Sequence, residues 1–479
     1  MVAILHQPDL GLHRPAIKRV PYEVLSEIFV FYVESPQQPP NVCTYTLTVK
    51  PVAPSTLLFL GAVCVPWRNV AWTTPRLWTT VAFKISGINN NLMTLLDLVK
   101  QWLQRAGREL PLFIKVICRD SHRSLPFIKL LKEYRHRWQK MDFRCDAPYV
   151  LELLLRKDTD TYTSNLKVVH FTGHLTEDHA GPVALDLTAD SPEEIYGFVP
   201  LSWIKTQWHA LRSICLMNPL PVDHLLHVLS DAPALTYCNV NLDFIEEINV
   251  EVRPLVHNKL RDLRLRLHID PEDDGSEQTV ILEELLSNLA SPSLTKLSVT
   301  FDEELNVNFD ATYADTLMDF LARSKCSLKT FKQHGVIFSS EHEENQLLAV
   351  LITTPTLEHL KITTDIRESD KSISNHFLER LSVQTGDPDL LPNLKHFTYH
   401  GPLGFSEEAL AKITCDDMAS TSTDGSTGSD DLGTSISKPR LMERIDVELN
   451  DGFDEEGNDV HGQCPPRVGS AWKKITISI

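Results

Sequence analysis

Two histidine pairs have a spacing that could bind a metal ion: His170 with His174, and His396 with His400. On a helix, side chains four residues apart lie on one face, and imidazoles placed there are good zinc ligands. Both pairs fall instead at a predicted strand and its exit, where this spacing does not bring the side chains together. We therefore interpret them as surface histidines and expect neither a metal site nor a cofactor.

The remaining residues with reactive side chains form no recognisable catalytic motif. The chain has no G-x-S-x-G elbow, P-loop, G-x-G-x-x-G loop or H-E-x-x-H motif. Its nine cysteines are scattered without a C-x-x-C pair, and several lie in apolar contexts such as ICLM and YCNV. Such thiols behave as small hydrophobic groups and indicate a reducing compartment. We predict a protein that is not an enzyme, although its Ser, His and Asp residues leave open a triad that only the fold would assemble.

Length and charge narrow the classes of protein further. A chain of 479 residues predicts two or more domains or one elongated repeat array. The formal net charge of −18 disfavours nucleic acid and anionic membranes as partners, because binding phosphates requires clustered Lys and Arg. The first fifteen residues do not fit a secretory signal, and no apolar run is long enough to span a bilayer. We expect a protein of the cytoplasm, the nucleus or both.

The first eighty residues contain two helical stretches with apolar stripes. Pro21 suits the first turn of a helix, and Val24, Leu25, Ile28 and Phe29 follow at helical spacing. A proline-rich stretch over 34–54 ends this helix. The second stripe and the three tryptophans around it comprise Leu57, Leu60, Val63, Cys64, Trp67, Val70, Ala71, Trp72 and Trp78. Helices this short are marginal alone, so we expect another domain or another protein to cover their apolar faces.

These stripes carry a resemblance to a known family. The pattern V-P-x-E-V-L-x-x-I-F begins at Val20, and V-C-x-x-W-R-x-x-A-x-x-T-P-x-L-W begins at Val63. Together they resemble the F-box, particularly F-box-like segments of large fungal families, over residues 17–83. Val20 replaces the usual Leu, and the insertion at 34–54 is longer than the common form.

The resemblance implies that the helices dock onto the Skp adaptor of Skp–cullin–F-box ubiquitin ligases, while the rest of the chain presents a substrate. The contact would be of the helix-in-groove kind. The residues that it assigns either to the adaptor interface or to the core of the module itself are Pro21, Val24, Leu25, Ile28, Phe29, Leu60, Val63, Cys64, Trp67, Val70 and Ala71. Leu77 and Trp78 are predicted to connect the module to the next domain, with a first strand over 79–85.

A recurring pattern, L-x-x-L-x-V, runs through the remaining chain. Apolar residues stand at positions one, four and six, and helical stretches such as VDHLLHVLSDAP and NQLLAVLITTP precede most units. Alternation between positions four and six is typical of a strand. The units begin at Trp138, Leu166, Leu211, Leu235, Leu260, Leu294, Leu328, Leu357 and Leu394, with two weaker ones at Met442 and Trp472. We predict stacked parallel α/β repeats.

The strand pattern resembles leucine-rich repeats, although several units exceed the usual length of about 20–29 residues. We therefore predict an α/β fold in which a short N-terminal helical F-box-like module precedes an irregular leucine-rich-repeat-like parallel α/β solenoid. The predicted segments are a flexible N-terminus at 1–16, the module at 17–83 and the repeat domain at 84–479. Within that domain we expect a disordered insertion at 416–438 and an acidic loop at 450–466.

Basic residues recur at strand positions that the pattern leaves exposed. They are Lys167, His170, Arg212, Arg264, Arg266, Lys296, Lys361 and His396. An acidic or phosphorylated segment of a substrate is one possible ligand. Ordinary solvation of the exposed face is the simpler alternative.

These observations lead to one functional hypothesis and its alternatives. We expect a substrate-recognition adaptor that binds a Skp-type adaptor and, through it, a cullin, and that holds an unknown protein substrate on the repeats. The alternative is a non-catalytic repeat scaffold for protein–protein interaction without ligase assembly. An enzyme built on the repeats is a third, remote class.

Overall fold

The residues that a computed structural model describes are 20–34, 54–85, 91–118, 121–145, 148–155, 165–172, 185–243, 254–267, 276–301, 307–364, 372–381, 390–401, 404–406, 409, 444–450 and 472–478. The predicted flexible N-terminus at 1–16 and the insertion at 416–438 lie outside these residues. So do the proline-rich stretch, except its two ends, and the acidic loop after Asn450.

The fold is α/β. Its described helices are α1 Tyr22–Glu34, α2 Pro54–Val63, α3 Val65–Thr73, α4 Leu92–Arg105, α5 Ser121–Glu133, α6 Pro148–Leu155, α7 Val222–Asp231, α8 Ser276–Asn288, α9 Ala311–Ser324, α10 Glu341–Ile352 and α11 Asn375–Leu381. Short 3₁₀ turns occupy Pro75–Trp78, Arg135–Arg137, Leu201–Trp203 and Trp208–Ala210. None of the described helices combines the length and apolarity that crossing a membrane requires.

The described strands are β1 Thr80–Ile85, β2 Leu112–Cys118, β3 Trp138–Cys145, β4 Val168–Thr172, β5 Leu185–Asp186, β6 Glu194–Gly197, β7 Ile204–Lys205, β8 Ser213–Leu220, β9 Tyr237–Leu242, β10 Leu255–Val256, β11 Asp262–Leu267, β12 Leu289–Ala290, β13 Lys296–Phe301, β14 Val307–Asn308, β15 Thr330–Ile337, β16 His359–Thr364, β17 His396–Gly401, β18 Arg444–Asn450 and β19 Trp472–Ser478. The strand predicted over 79–85 is β1.

The chain divides into two compact units. The first comprises Met1–Pro192 with Trp203–Thr206, and the second comprises Glu193–Ser202 with Gln207–Ile479. The residues described from the predicted F-box-like module at 17–83 belong to the first unit.

In the first unit, β1, β2, β3 and β4 pair in that order and run parallel. Strand β2 alternates strictly between buried and half-buried side chains, as expected for a strand with one face against helices. Strands β5 and β7 form a separate short parallel pair.

In the second unit, β6, β8, β9, β11, β13, β15, β16, β17 and β18 pair in sequence order, all parallel. Helices α7 to α11 lie between the strands, at helical stretches such as the two quoted above. Each of these helices contacts the next along the chain. Parallel strands need such crossovers because the chain must return to the same end of the sheet before the next strand begins.

The leucine at position one of each unit has a recurring role. Leu235, Leu294, Leu357 and Leu394 are fully buried, and each backbone N–H donates to the carbonyl three residues earlier, at 3.0–3.1 Å. The strand then starts two residues later. The residues at positions four and six are buried against the helices, as Leu263 and Leu265 of β11 illustrate. The repeating pattern therefore marks a tight turn followed by a strand with one apolar face.

Two units depart from the predicted pattern. At position six of the unit starting at Leu328, Gln333 replaces an apolar residue; it is fully buried and accepts a hydrogen bond from the Tyr313 hydroxyl. The last strand, β19, runs antiparallel to β18, so the prediction of a further parallel repeat at Trp472 is wrong. Asn450 pairs with Trp472 in this register, so the end of β18 lies beside the start of β19, as in any antiparallel pair.

Candidate docking surfaces

Helices α1, α2 and α3 are held together by a small set of contacts. The Phe29 and Trp67 rings meet edge to face, with centroids 4.9 Å apart. Arg76 forms an ion pair with Glu27 at 3.1 Å, and the Arg68 Nε donates to the carbonyl of Gly61 at 2.8 Å. These contacts fix α1 and α2 against α3 and the turn that follows it.

The three tryptophans of this region have different environments. Trp78 is fully buried; its Nε1 donates to the carbonyl of Ala71 at 2.7 Å, and its ring packs on Trp102 of α4 with centroids 4.7 Å apart. Trp67 is half-buried beside α1. Trp72 is exposed, with the Arg105 guanidinium 4.9 Å from its ring centre. Trp78 thus connects the three short helices to α4, the first helix after them.

The structure divides the eleven residues predicted for the module into three groups by burial. Leu25, Phe29, Leu60, Val70 and Ala71 are buried and form the core between the helices. Trp67 is half-buried. Pro21, Val24, Ile28, Val63 and Cys64 are exposed.

Further apolar side chains beside the exposed group also face solvent. Phe31 and Phe59 are 75% and 71% exposed. On α1, Val24, Ile28, Phe31 and Tyr32 lie on one face by helical spacing. We call the exposed apolar side chains of α1–α3 the apolar patch; it comprises Tyr22, Val24, Ile28, Phe31, Tyr32, Leu58, Phe59, Val63, Val65 and Trp72. Single exposed apolar residues are common, but several on one helix face, as on α1, are typical of an interaction surface.

Sequence reasoning missed Phe31, Leu58, Phe59 and Val65. A signal for α2 was available, because TLLFLGAV is apolar around its whole circumference. A helix of that kind cannot hide all of its side chains against one neighbour.

A second surface is the side of the second unit's sheet that carries positions three and five of each unit. Its side chains form rows across the strands, because the register is continuous. One row comprises Arg264, Ser298, Lys332, Lys361, Thr398 and Asp446, and a parallel row comprises Asp262, Lys296, Thr330, His359 and His396. We call these two rows the strand face. They line a shallow depression of about 510 Å³.

The basic residues predicted to be exposed are distributed as follows. Lys167, Arg212, Arg266 and Lys296 are exposed, whereas Arg264, Lys361 and His396 are half-buried. Lys332 and His359, which the prediction omitted, occupy the same repeat positions, five and three, as Lys361 and His396. Positions three and five of the units are therefore the sequence positions that predict which side chains form this surface.

The prediction that His170 is exposed is wrong. Strand β4 has three consecutive buried residues, Val169, His170 and Phe171, so it is covered on both faces. Burial, followed by the positive charge of Lys140, lowers the pKa of His170 to about 4. The imidazole is consequently neutral near pH 7.

Of the two histidine pairs, only His396 and His400 are both described, and they lie on the same strand, β17. Along β17, side chains four residues apart are about 13 Å apart, so His396 and His400 do not converge. His396 instead stacks on His359 of the neighbouring strand, with ring centroids 4.5 Å apart. Within the described residues, no group of three His, Cys, Asp or Glu side chains is placed to hold a metal ion. His174 lies outside them.

Comparison with models of known protein families found no match, and a search of curated protein sequences found no significant relative.

Proposed function

We propose that the chain is a substrate-recognition adaptor of the Skp–cullin–F-box type, which docks the Skp adaptor through α1–α3 and holds a protein substrate on the second unit. The observation that carries the proposal is the apolar patch. Five of the eleven residues singled out by the F-box resemblance are exposed, together with neighbouring aromatic side chains, while buried partners keep the helices in place.

A groove of the adaptor that receives α1–α3 would remove these side chains from water. Burying one Ile or Phe side chain stabilises a complex by about 1.5–3 kcal/mol. The spacing of Val24, Ile28 and Phe31 supplies i, i+4 and i+7 anchors, which is the pattern of a helix that packs into a groove.

The second unit suits presentation of a partner. Its leucine turns and parallel strands support the finer interpretation of an irregular leucine-rich-repeat-like solenoid, in which each unit packs on its neighbours and the strand side remains available. In this mechanism the chain does no chemistry. It holds the substrate near a ubiquitin-charged enzyme elsewhere in the ligase, which raises the effective concentration of the reacting groups.

Co-purification of the full chain with a Skp-type adaptor and cullin tests the proposal. Wild type should bind, and Ile28→Asp combined with Phe31→Asp should weaken binding at least tenfold while the chain stays folded. Leu25→Asp is unsuitable for this purpose, since Leu25 is buried and its replacement would disrupt the module.

Met93→Asp combined with Leu98→Asp is a matched control. Both residues are exposed apolar side chains on a helix, α4, outside the apolar patch. This control should bind the adaptor like wild type. Absence of binding by the wild type would contradict the ligase proposal and leave the scaffold alternative.

A further inference from the structure

We infer that the strand face of the second unit binds an extended anionic segment of a protein, carrying carboxylates or phosphates, laid across β11 to β18. Such a segment would belong to the substrate of the proposed adaptor, so its biological role rests on that proposed function. Binding itself depends only on the strand face and can be measured without the adaptor.

The dimensions of the strand face suit a peptide. Neighbouring strands are about 4.8 Å apart, so the depression from β11 to β18 extends over about 24 Å. An extended peptide rises about 3.3 Å per residue, so about seven residues would cover it. A volume of about 510 Å³ accommodates several of their side chains.

The charge on the strand face is opposite to that of the chain as a whole. Arg264, Lys296, Lys332 and Lys361 line the depression, against two carboxylates, Asp262 and Asp446. Asp262 is already engaged, because both of its oxygens accept from the Arg264 guanidinium at 3.0 Å.

Lys296 and Lys332 form no ion pair with any residue that the structure describes. The same sheet does neutralise lysines elsewhere: beside the strand face, Glu358 bridges Lys329 and Lys395 at 2.8 and 3.2 Å. These two hydrogen bonds lower the pKa of Glu358 to about 2. Lys332 lies three residues after Lys329 and has no such carboxylate, which leaves it available to an external anion.

The half-buried His334 lies close to the same positive charges. His334 follows Lys332 by two residues on β15, and its pKa is lowered to about 3, first by burial and then by the charges of Lys361 and Lys332. Those charges would favour an anion as strongly as they disfavour a second cation.

Neutral groups on the strand face complete a set of anion ligands. The hydroxyls of Ser298, Thr330 and Thr398 line the depression among the cations, and hydroxyl and ammonium donors together suit both carboxylate and phosphate oxygens. A protein segment is favoured over nucleic acid because the net charge of −18 repels a long polyanion beyond the depression.

Fluorescence anisotropy of the full chain with labelled ten-residue probes tests the inference. The probes are a Glu-rich peptide, a Gly-Ser peptide with two phosphoserines, the same peptide unphosphorylated, and single-stranded DNA of ten nucleotides. At low ionic strength one or both anionic peptides should bind at least tenfold more tightly than the unphosphorylated peptide, and salt should weaken that binding. Which of the two binds more tightly distinguishes an acidic from a phosphorylated segment.

Lys332→Gln combined with Lys361→Gln should weaken peptide binding about tenfold, or about 1.4 kcal/mol. Lys84→Gln combined with Lys100→Gln removes the same amount of charge from the first unit. This control variant should bind the peptides almost as tightly as wild type. The inference is overturned if neither anionic peptide binds, if the Lys332/Lys361 variant binds like wild type, or if DNA binds most tightly. Adaptor co-purification with this variant should match wild type, so failure here is distinguishable from failure of the proposed function.

Discussion

Hydrophobic side chains are exposed in the apolar patch on α1–α3 and buried in the sheet of the second unit. Phe31 and Phe59 project into solvent, whereas the apolar residues at positions four and six of β11 and β13 are at most 1% exposed. Both regions contain large apolar side chains, and they differ in the number of neighbouring elements that can cover them.

A strand in the middle of the second unit has another strand on each side and helices over one face, which together cover its apolar side chains. Three short helices contact one another but offer each other only small interfaces. The comparison teaches that strands of the second unit bury their apolar side chains among neighbouring elements, while the three helices retain apolar surface that another protein can cover.

The largest expected effect on stability comes from a comparison of two tryptophans of the same region. Trp78→Ala should lower the free energy of unfolding by about 3–5 kcal/mol, because it removes a fully buried ring and its hydrogen bond to Ala71. Trp72→Ala should lower it by about 1 kcal/mol or less, since this ring is already exposed and loses mainly its cation–π contact with Arg105. Urea denaturation followed by circular dichroism measures both, and equal losses would contradict the division between core and patch.

The second test addresses the close packing of the second unit. Gly335 has a φ of +75°, at an irregularity in the β15–β16 register, and a Cβ placed there would lie 2.7 Å from the carbonyl oxygen of Phe301. Gly335→Ala should therefore destabilise the protein by about 1–3 kcal/mol through backbone strain and the clash. Gly61→Ala in α2 is the matched control, because its added Cβ would meet only ordinary contacts, the nearest at 3.5 Å. Similar thermal denaturation midpoints for the two variants would refute this expectation.

The third test uses pH. His334 in the second unit has a folded pKa of about 3, below the ordinary value of 6.5. As the pH falls below about 6.5, this histidine binds a proton in the unfolded chain but not in the folded chain. The free energy of unfolding therefore decreases until the pH reaches about 3. This one group can contribute a slope of up to about 1.4 kcal/mol per pH unit.

Replacing His334 with Gln should flatten the dependence of unfolding free energy on pH between about 6 and 4, measured as the difference from wild type. His170→Gln should do the same for the first unit, with the lower limit of its window near pH 4. An unchanged slope in both variants would show that these imidazoles are not held neutral.

The smallest effect on stability is expected at the apolar patch. Phe31→Asp combined with Phe59→Asp should change the unfolding free energy by no more than about 0.5 kcal/mol per site, because both rings are already in water. The same variant should bind less of a dye that reports exposed apolar surface. Destabilisation by several kcal/mol would instead place these rings in the core.

Much of the second unit could be predicted from the sequence. Each unit beginning at Leu211, Leu235, Leu260, Leu294, Leu328, Leu357 and Leu394 has a strand two residues later, because a leucine at a tight turn followed by alternation leaves few other local structures. The strand at Trp472 was predicted but its antiparallel direction could not be, since the sequence WKKITI suits a strand in either direction. The buried His170 could not either, because period-two alternation fails where a strand is covered on both faces.

The candidate surfaces were predicted less completely. The F-box resemblance located the helices of the apolar patch, but it could not say that Leu25 and Phe29 lie inside while Val24 and Ile28 lie outside. All four are apolar and only their helical phase relative to α3 separates them. On the strand face, Lys332 was missed although it shares a repeat position with Lys361.

By itself, then, the sequence determined where the helices and strands form, because hydrophobic spacing and turn residues act over a few neighbouring positions. Only the tertiary structure decided which apolar side chains remain in water and that Lys296 and Lys332 form no ion pair with the residues that the structure describes. Both properties depend on neighbours that are distant in the chain, and the continuous register between strands is what places Arg264, Lys332 and Lys361 in one row.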